Sequence, residues 1–536
     1  WPKRLSTVAA EHLEDRMEHL TPLDAAFLDM EDEDEHASLA IASVAVVEGP
    51  PPTQAEFLDL LRGRLPLVPR YRQKVRQLPL DLGQPVWVDD PAFDLTFHVR
   101  RTALPAPGDD AALCRLVSRV MSQRLDRDHP LWESWVIEGL AGGRWAVLTK
   151  VHHCMADGIS GNELYRIMFD ETPQPGPSVE QRWQPEPEPT SLQLVANALG
   201  TLVRTPLEQV RLLAGGLRRP RVLAERVVVT ARGLASLAGA LVPVPRSSLS
   251  GPIGQQRQYS ITRALLADVA NVAKAQKVTV NDVVLAAVAG AFRAVLLDAG
   301  EKPGAHAIRT LVPVSVRAKG DEAEISNRVS LMLPLLPVEE ADPVNRLREV
   351  HRRLGELKAG REAEAGAVIT TLAVHQPYPP ISLGIRLAAH VPHRNIVTVT
   401  TNVPGSRRPL YILGRRIIEI LPYVPIAVRL RTGVAVLTYD GRMSFGVTSD
   451  LSHGPGAKAL ADRIGDAIEE LVAASTAPGP APAAGDGART ARPGTATRTA
   501  RAPSGRSART AASGTRAASA RSTRTRSIAA RSTRTR

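Results

Sequence analysis

Arg144-Trp-Ala-Val-Leu-Thr-Lys-Val-His-His-Cys-Met-Ala-Asp-Gly158 reads as a strand ending in two histidines, then a tight loop, then a helix starting near 158–162. Side chains of adjacent strand residues point to opposite faces, so one of His152 and His153, not both, faces a given cleft. Asp157, beside the permissive Gly158, can fold back to fix the loop around the imidazole. An imidazole with an ordinary pKa of about 6.5 is the natural general base at neutral pH. A histidine pair at a strand end is equally compatible with a satisfied polar cluster. Zinc has no HExxH or CxxC partner set in the chain, so no metal is expected. Cys154 adjoins both histidines, but on a strand adjacency turns it away from His153, and no other cysteine-enzyme feature accompanies it.

Outward from that stretch, Trp132–Ile137 forms a second strand, joined to the first through the turn Ala141-Gly142-Gly143. Upstream, 110–125 carries Leu113, Leu116, Val117, Val120 and Met121 at helical spacing. Thr53-x-x-Glu56 is a capping box that opens a helix to about Leu65, and Leu39–Val47 reads as a buried strand. Short strands mixed with helices in this order point to an α/β fold. A second such block runs over 255–475. Helices are expected at Val280–Leu297, Pro343–Leu357 and Ala457–Ala473, and strands at Ala307–Val316, Val329–Pro337, Ile396–Asn402 and Val434–Tyr439.

Between the blocks, 173–190 is a proline-rich linker. Residues 191–246 then turn helical and basic, with eight Arg against Glu208 and Glu225. Two readings stay open: a helical crossover with solvated arginines, or a basic amphipathic surface that sits on anionic lipid. The resulting division is an N-terminal extension (1–16), a first lobe (17–172), linker and crossover (173–250), a second lobe (251–475) and a tail (476–536).

The 536 residues are 43% hydrophobic and 23% charged with a net charge of +12, which excludes a collagenous, coiled-coil or wholly disordered protein. Two cysteines exclude a disulfide scaffold and fit a reducing compartment. The charge belongs to the tail: 476–536 holds 13 Arg and one acidic residue, Asp486, leaving 54 basic and 54 acidic residues elsewhere. That tail has almost no core-forming residues and is expected to be disordered. The longest uninterrupted apolar runs fall short of the ~18 residues that span a bilayer. Trp1-Pro-Lys-Arg lacks a signal-peptide core, so a cytoplasmic location is expected, with Met17 as a candidate start.

A set of motifs in fixed order then becomes specific. Leu20-Thr-Pro-Leu-Asp24 is followed by Asp94-Leu-Thr-Phe-His98, Leu104-Pro-Ala-Pro-Gly108, Pro130-Leu131-Trp132 and His152-His153-x-x-x-Asp157-Gly158. Asn281-Asp282, Asn327-x-x-Ser330 with Leu333-Pro334, and Asn402-Val403-Pro404-Gly405 complete it. The chain over about 17–475 resembles the bacterial wax ester synthase/diacylglycerol acyltransferase family. The resemblance implies a two-lobed α/β fold like that of the CoA-dependent acyltransferases, with a channel between the lobes. It implies His153 as base, His152 as its partner in the motif and Asp157 as a structural support. Pro130, Leu131, Trp132, Asn281, Asp282, Asn402, Pro404, Gly405 and Gly158 become architectural or channel-lining, with Pro404-Gly405 reading as a turn.

The activity implied is direct transfer of a fatty acyl group from acyl-CoA, a substrate and not a cofactor, to diacylglycerol or a long-chain alcohol. No cofactor is expected. Peripheral contact with membrane or lipid inclusions is expected, and specific nucleic-acid binding is not. Two competing readings are a condensation-domain-like, amide-forming acyltransferase and a non-enzymatic binder of anionic surfaces through the tail.

Overall fold

The structure is a computed structural model that describes residues 18–79, 82–155, 168–176, 183–198, 247–315, 329–359, 396–427 and 429–476. Asp157, Gly158, Asn327, the expected helix at 158–162, most of the 191–246 segment, the extension and the tail lie outside the described residues.

In chain order the first half contains α1 (Pro22–Glu33), β1 (Ala40–Val47), α2 (Gln54–Arg64), β2 (Gln73–Arg76), β3 (Val86–Asp89), β4 (Val99–Ala103), α3 (Asp110–Met121), β5 (Trp132–Leu140) and β6 (Arg144–His152). The second half contains β7 (Arg257–Leu265), α4 (Leu266–Gln276), α5 (Val280–Asp298), β8 (Thr310–Ser315), β9 (Val329–Met332) and α6 (Pro343–Ala359). It continues with β10 (Thr398–Pro404), β11 (Tyr411–Ile412), β12 (Arg415–Tyr423), β13 (Thr432–Tyr439), β14 (Arg442–Asp450) and α7 (Ala457–Thr476).

Local signals formed where local chemistry dictated. The Thr53–Glu56 capping box is made in both directions at the start of α2. The β5–β6 hairpin turns through Gly142 and Gly143, both at positive φ, which glycine adopts without a Cβ clash. Helix α3 ends at Met121 instead of continuing to Leu125. Beyond it the buried Lys150 ammonium donates to the carbonyls of Val120 (3.0 Å) and Gln123 (2.6 Å), capping the helix C-terminus with a cation.

Two six-stranded sheets result. The first runs β11-β12-β1-β6-β5-β4 and the second β7-β14-β13-β10-β8-β9. The mixed α/β class and the two-lobed architecture expected from the sequence are borne out. Segment 411–423, which lies within the second block in sequence, nonetheless pairs into the first sheet, with Ala42 opposite Tyr423 and Val44 opposite Leu421. The first core gathers Phe57, Leu131, Trp132 and Trp145, and the second gathers α5 with Phe445 and Leu460. Helix α5 is long and apolar enough to cross a membrane by length and composition, but two-thirds of it is buried inside the fold.

The sheets meet along a close seam. The Tyr259 hydroxyl on β7 donates to the Pro422 carbonyl on β12 at 2.8 Å. A Cβ on Gly446 of β14 would stand 1.8 Å from that same carbonyl oxygen, so the approach requires glycine. On the outer edge of β7, the N–H groups of Arg257 and Tyr259 donate to the hydroxyls of Ser122, just after α3, and Ser118, in its last turn, each at 2.9 Å. Serine hydroxyls thus satisfy donors that a sheet edge leaves open.

Candidate active site

Strand β6 carries His152 to the end of the first sheet, opposite Ala40 on β1. The His152 N–H donates to the Leu131 carbonyl (2.9 Å), and the His153 N–H to the Leu39 carbonyl (3.0 Å). His153 is not a strand residue, as simple alternation assumed; it opens a 3-10 turn, His153–Met155. The change of backbone geometry between the two residues, not strand pleating, sends their imidazoles to different surroundings.

His152 is buried, 1% exposed. Its Nδ1 accepts the Cys154 N–H at 3.2 Å, which leaves Nε2 as the ring's N–H. That Nε2 lies 3.6 Å from Glu31 Oε2. Burial alone raises the Glu31 carboxyl, but His152, the Leu39 N–H (2.9 Å) and Arg127 (2.9 Å) outweigh it and hold the group at about 2. Glu31 is therefore a buried anion with three partners.

His153 instead stacks on Phe27 of α1, ring centroids 4.1 Å apart and planes 28° from parallel, and stays partly exposed. Burial of most of the ring, helped by neighbouring His152, pushes its pKa down to about 4. The ring is neutral across physiological pH and free to accept a proton. Cys154 is enclosed beside His152, Sγ 3.0 Å from Nδ1, and burial pushes its thiol well above the ordinary range. A thiol held protonated is a poor nucleophile.

The other motifs build outward. In Leu20-Thr-Pro-Leu-Asp24, Thr21 caps α1 by accepting the Asp24 N–H at 3.1 Å. In Pro130-Leu131-Trp132 the carbonyl of Leu131 holds His152, and the buried Trp132 indole donates to the Tyr71 carbonyl at 2.8 Å. Trp132 also stacks on His98 at 4.5 Å, and His98 Nδ1 lies 2.8 Å from the Trp132 carbonyl. Burial lowers the His98 pKa, so a neutral ring donates that bond. These side chains are walls and braces.

Asn281 and Asp282 open α5 in the second half. Asp282 completes a capping box with Thr279 and meets His351 Nδ1 at 2.8 Å. The Asn281 side-chain oxygen accepts from Asn402 Nδ2 at 3.3 Å, so the two motifs are joined to each other. Among the described residues neither contacts His153. Pro404 is the last residue of β10, not part of a turn, and Gly405 is needed for closeness: a Cβ there would stand 2.2 Å from the Thr438 carbonyl oxygen. Among the described residues no three His, Cys, Asp or Glu side chains group as metal ligands.

The family model described as "Wax ester synthase/diacylglycerol acyltransferase catalytic domain" matches residues 20–284, and that described as "WS/DGAT C-terminal domain" matches 325–472. The chain belongs to the wax ester synthase/diacylglycerol acyltransferase family. A Mycobacterium tuberculosis H37Rv protein named "Probable diacyglycerol O-acyltransferase tgs1" is 44% identical over 467 residues, covering 86% of this chain and 96% of that protein. The solved wax ester synthase/diacylglycerol acyltransferase of Marinobacter aquaeolei VT8 is 25% identical with a TM-score of 0.60, covering 85% of this chain and 99% of that one. The first condensation domain of the CDA synthetase is 15% identical with a TM-score of 0.51, covering 85% and 96% respectively, and shares the fold alone.

Two members of this site escape the family motifs. Glu31 sits in the run Glu31-Asp-Glu-Asp-Glu35, which reads as a solvated acidic face; its position two helical turns after Asp24, on the same face of α1, is the available signal. Phe27 lies between them on that face and gives the stacking surface.

Proposed function

We propose that the chain esterifies diacylglycerol with the acyl group of acyl-CoA, with His153 as general base, and accepts long-chain alcohols as a second acceptor class. That it is an acyl-CoA-dependent O-acyltransferase follows from its family. The choice of diacylglycerol is supported by the name of the 44% identical mycobacterial relative, and the alcohol by the Marinobacter enzyme's. The observation that carries the catalytic reading is the difference between the two histidines. His152 is locked by Leu131, Cys154 and Glu31, whereas the half-buried His153 keeps a neutral ring that, among the described residues, is held by Phe27 and its own backbone.

The acceptor hydroxyl gives its proton to His153 as its oxygen attacks the thioester carbonyl carbon. The tetrahedral intermediate collapses, the C–S bond breaks, and the imidazolium returns the proton to the departing thiolate. Ester and CoA leave, and the base is regenerated without a covalent enzyme intermediate. Because His153 is a weak base, the imidazolium depends on the adjacent oxyanion for its stability, which keeps proton uptake coupled to attack. Asp157 supports the loop after His153. The residues at 130–132, 281–282 and 402–405 shape the fold around the substrates.

An insoluble acceptor and product place the work at a membrane or lipid-inclusion surface on the cytoplasmic side, with peripheral attachment through the basic 191–246 segment and the tail. The test is one long-chain acyl-CoA offered diacylglycerol and hexadecanol side by side, with thiol release and ester products followed together. Thioester cleavage that forms neither ester overturns the reading. Fractionation in high salt and in detergent separates electrostatic attachment from apolar insertion.

A further inference from the structure

A cavity of ≈ 670 Å³ opens beside the seam between the two lobes, away from the histidine turn. Its size is within the range of ~300–1,000 Å³ of small-molecule sites. Three elements wall it: α3 with the residues after it, loop 35–37 leading to β1, and the entry to β7. Four arginines line it, Arg115, Arg119, Arg124 and Arg257, against one carboxylate, Glu35.

The four differ in what holds them. Arg124 is spent on structure, its Nε donating to the Ala37 carbonyl at 2.9 Å. Arg257, 3% exposed, donates to the carbonyls of Gly254 and His36 and stands 3.7 Å from Asp450, yet its buried Nε has no hydrogen-bond partner among the described residues. His36 Nδ1, on the adjoining loop, is likewise buried without one among the described residues. Arg115 and Arg119 are exposed, four residues apart on one face of α3, and among the described residues neither has a carboxylate partner. Like charges at that spacing weaken an isolated helix, and an anion between them turns the cost into a gain. A rigid buried guanidinium beside two exposed ones on a helix makes a cationic wall suited to a polyanion.

The reaction has one polyanionic participant. Diacylglycerol and long-chain alcohols are uncharged, whereas acyl-CoA carries a diphosphate and a ribose 3′-phosphate. The cavity wall also leads to the base: loop 35–37 runs on to Leu39, whose carbonyl holds the His153 N–H at 3.0 Å. We propose that this cavity binds the 3′-phosphorylated ADP portion of acyl-CoA, with Arg115 and Arg119 on its phosphates and Arg257 as the fixed wall. The proposal rests on the acyl-CoA reading above.

The experiment compares the wild type with Arg115→Ala/Arg119→Ala on two donors of the same acyl chain, acyl-CoA and acyl-pantetheine, and measures binding of 3′,5′-ADP by calorimetry. The expected result is that the wild type's preference in kcat/KM for acyl-CoA over acyl-pantetheine falls at least about tenfold in the double variant, and that 3′,5′-ADP binding is lost. Arg115→Lys/Arg119→Lys, which keeps the charge but not the planar fork, is expected to lie between the two, and it carries the test if the alanine variant does not fold. An unchanged donor preference, equal losses on both donors, or undiminished 3′,5′-ADP binding each overturns the proposal. So does loss of binding to phosphatidylglycerol vesicles with the acyl-CoA preference intact, which assigns the arginines to lipid headgroups instead. A wild type that turns over neither donor sinks the acyltransferase reading, while 3′,5′-ADP binding still decides the cavity.

Discussion

Glu31 and His152 face each other across 3.6 Å, carboxylate to imidazole, each side chain 2% exposed. Both lie one step back from the proposed chemistry. Glu31 fixes His152 and, through the Leu39 N–H, the segment whose carbonyl holds the His153 backbone. A buried anion therefore anchors both strands that position the base.

Glu31→Gln keeps the shape and removes the charge. Arg127 retains Asp32 at 2.6 Å, so the half-buried guanidinium is not stranded, but His152 loses its only carboxylate neighbour among the described residues. The expected loss of stability is about 1–3 kcal/mol, with kcat down by roughly tenfold and acyl-CoA KM nearly unchanged. Thermal unfolding beside steady-state kinetics checks both. A large rise in KM with kcat intact contradicts the positioning role.

The acid limb of the pH–rate profile is the direct reading of His153. With its pKa pushed down to about 4, the ring is deprotonated throughout pH 5.5–8, and kcat/KM is expected to stay level there for the base. A limb at the ordinary histidine value of about 6.5 assigns the proton transfer to another group.

Stability follows pH in the same sense for two groups. His153 binds its proton more weakly folded than unfolded, so its contribution is complete above about 6.5 and is lost as pH falls toward 4. Glu31, held at about 2, contributes above its unfolded value and loses that contribution as pH falls from about 4.5 toward 2. The midpoint of thermal unfolding is expected to fall in two stages on acidification. His153→Phe removes the upper stage and Glu31→Gln the lower; persistence of the upper stage in His153→Phe assigns it elsewhere.

What the chain announced was local. Capping boxes at Thr53 and Thr279 and the Gly142–Gly143 turn act within a few residues, so their chemistry is written where it operates. The membership of β12 in the first sheet is not, because its register against β1 pairs Ala42 with Tyr423, and no local pattern carries a pairing over that separation. Likewise the motif histidines stood out in sequence, whereas Glu31, inside an acidic run, is distinguished only by the fold that buries it. The two faces expected from strand alternation were reached by another route, because β6 ends at His152.

Gly446→Ala tests the seam between the sheets. Its added Cβ meets the Pro422 carbonyl oxygen at 1.8 Å, and the backbone on both sides is held in a ladder, so the strands must separate. The expected cost is above about 2 kcal/mol, well beyond the ~1 kcal/mol typical of a point substitution. Chemical denaturation reads it directly. A variant within ~0.5 kcal/mol of the wild type means that the two sheets are not in contact there.

Three neighbouring substitutions separate the roles at the turn. His153→Ala removes the proposed base and is expected to lower kcat by ~10²–10⁴-fold, with a small effect on unfolding because the residue is half-buried and, among the described residues, its ring is held by one stack. His152→Ala leaves Glu31 without its imidazole and Cys154 without its acceptor, so it is expected to lose stability first and activity through the displaced turn. Cys154→Ala removes a thiol held protonated by burial, and is expected to keep most of its turnover while giving up about 1 kcal/mol of packing. Measured with one acyl-CoA, one acceptor and parallel thermal melts, the order of kcat is Cys154→Ala, then His152→Ala, then His153→Ala. A well-folded, inactive Cys154→Ala together with an acylated wild-type enzyme caught by mass spectrometry replaces direct transfer with a covalent route. A fully active His153→Ala removes the base.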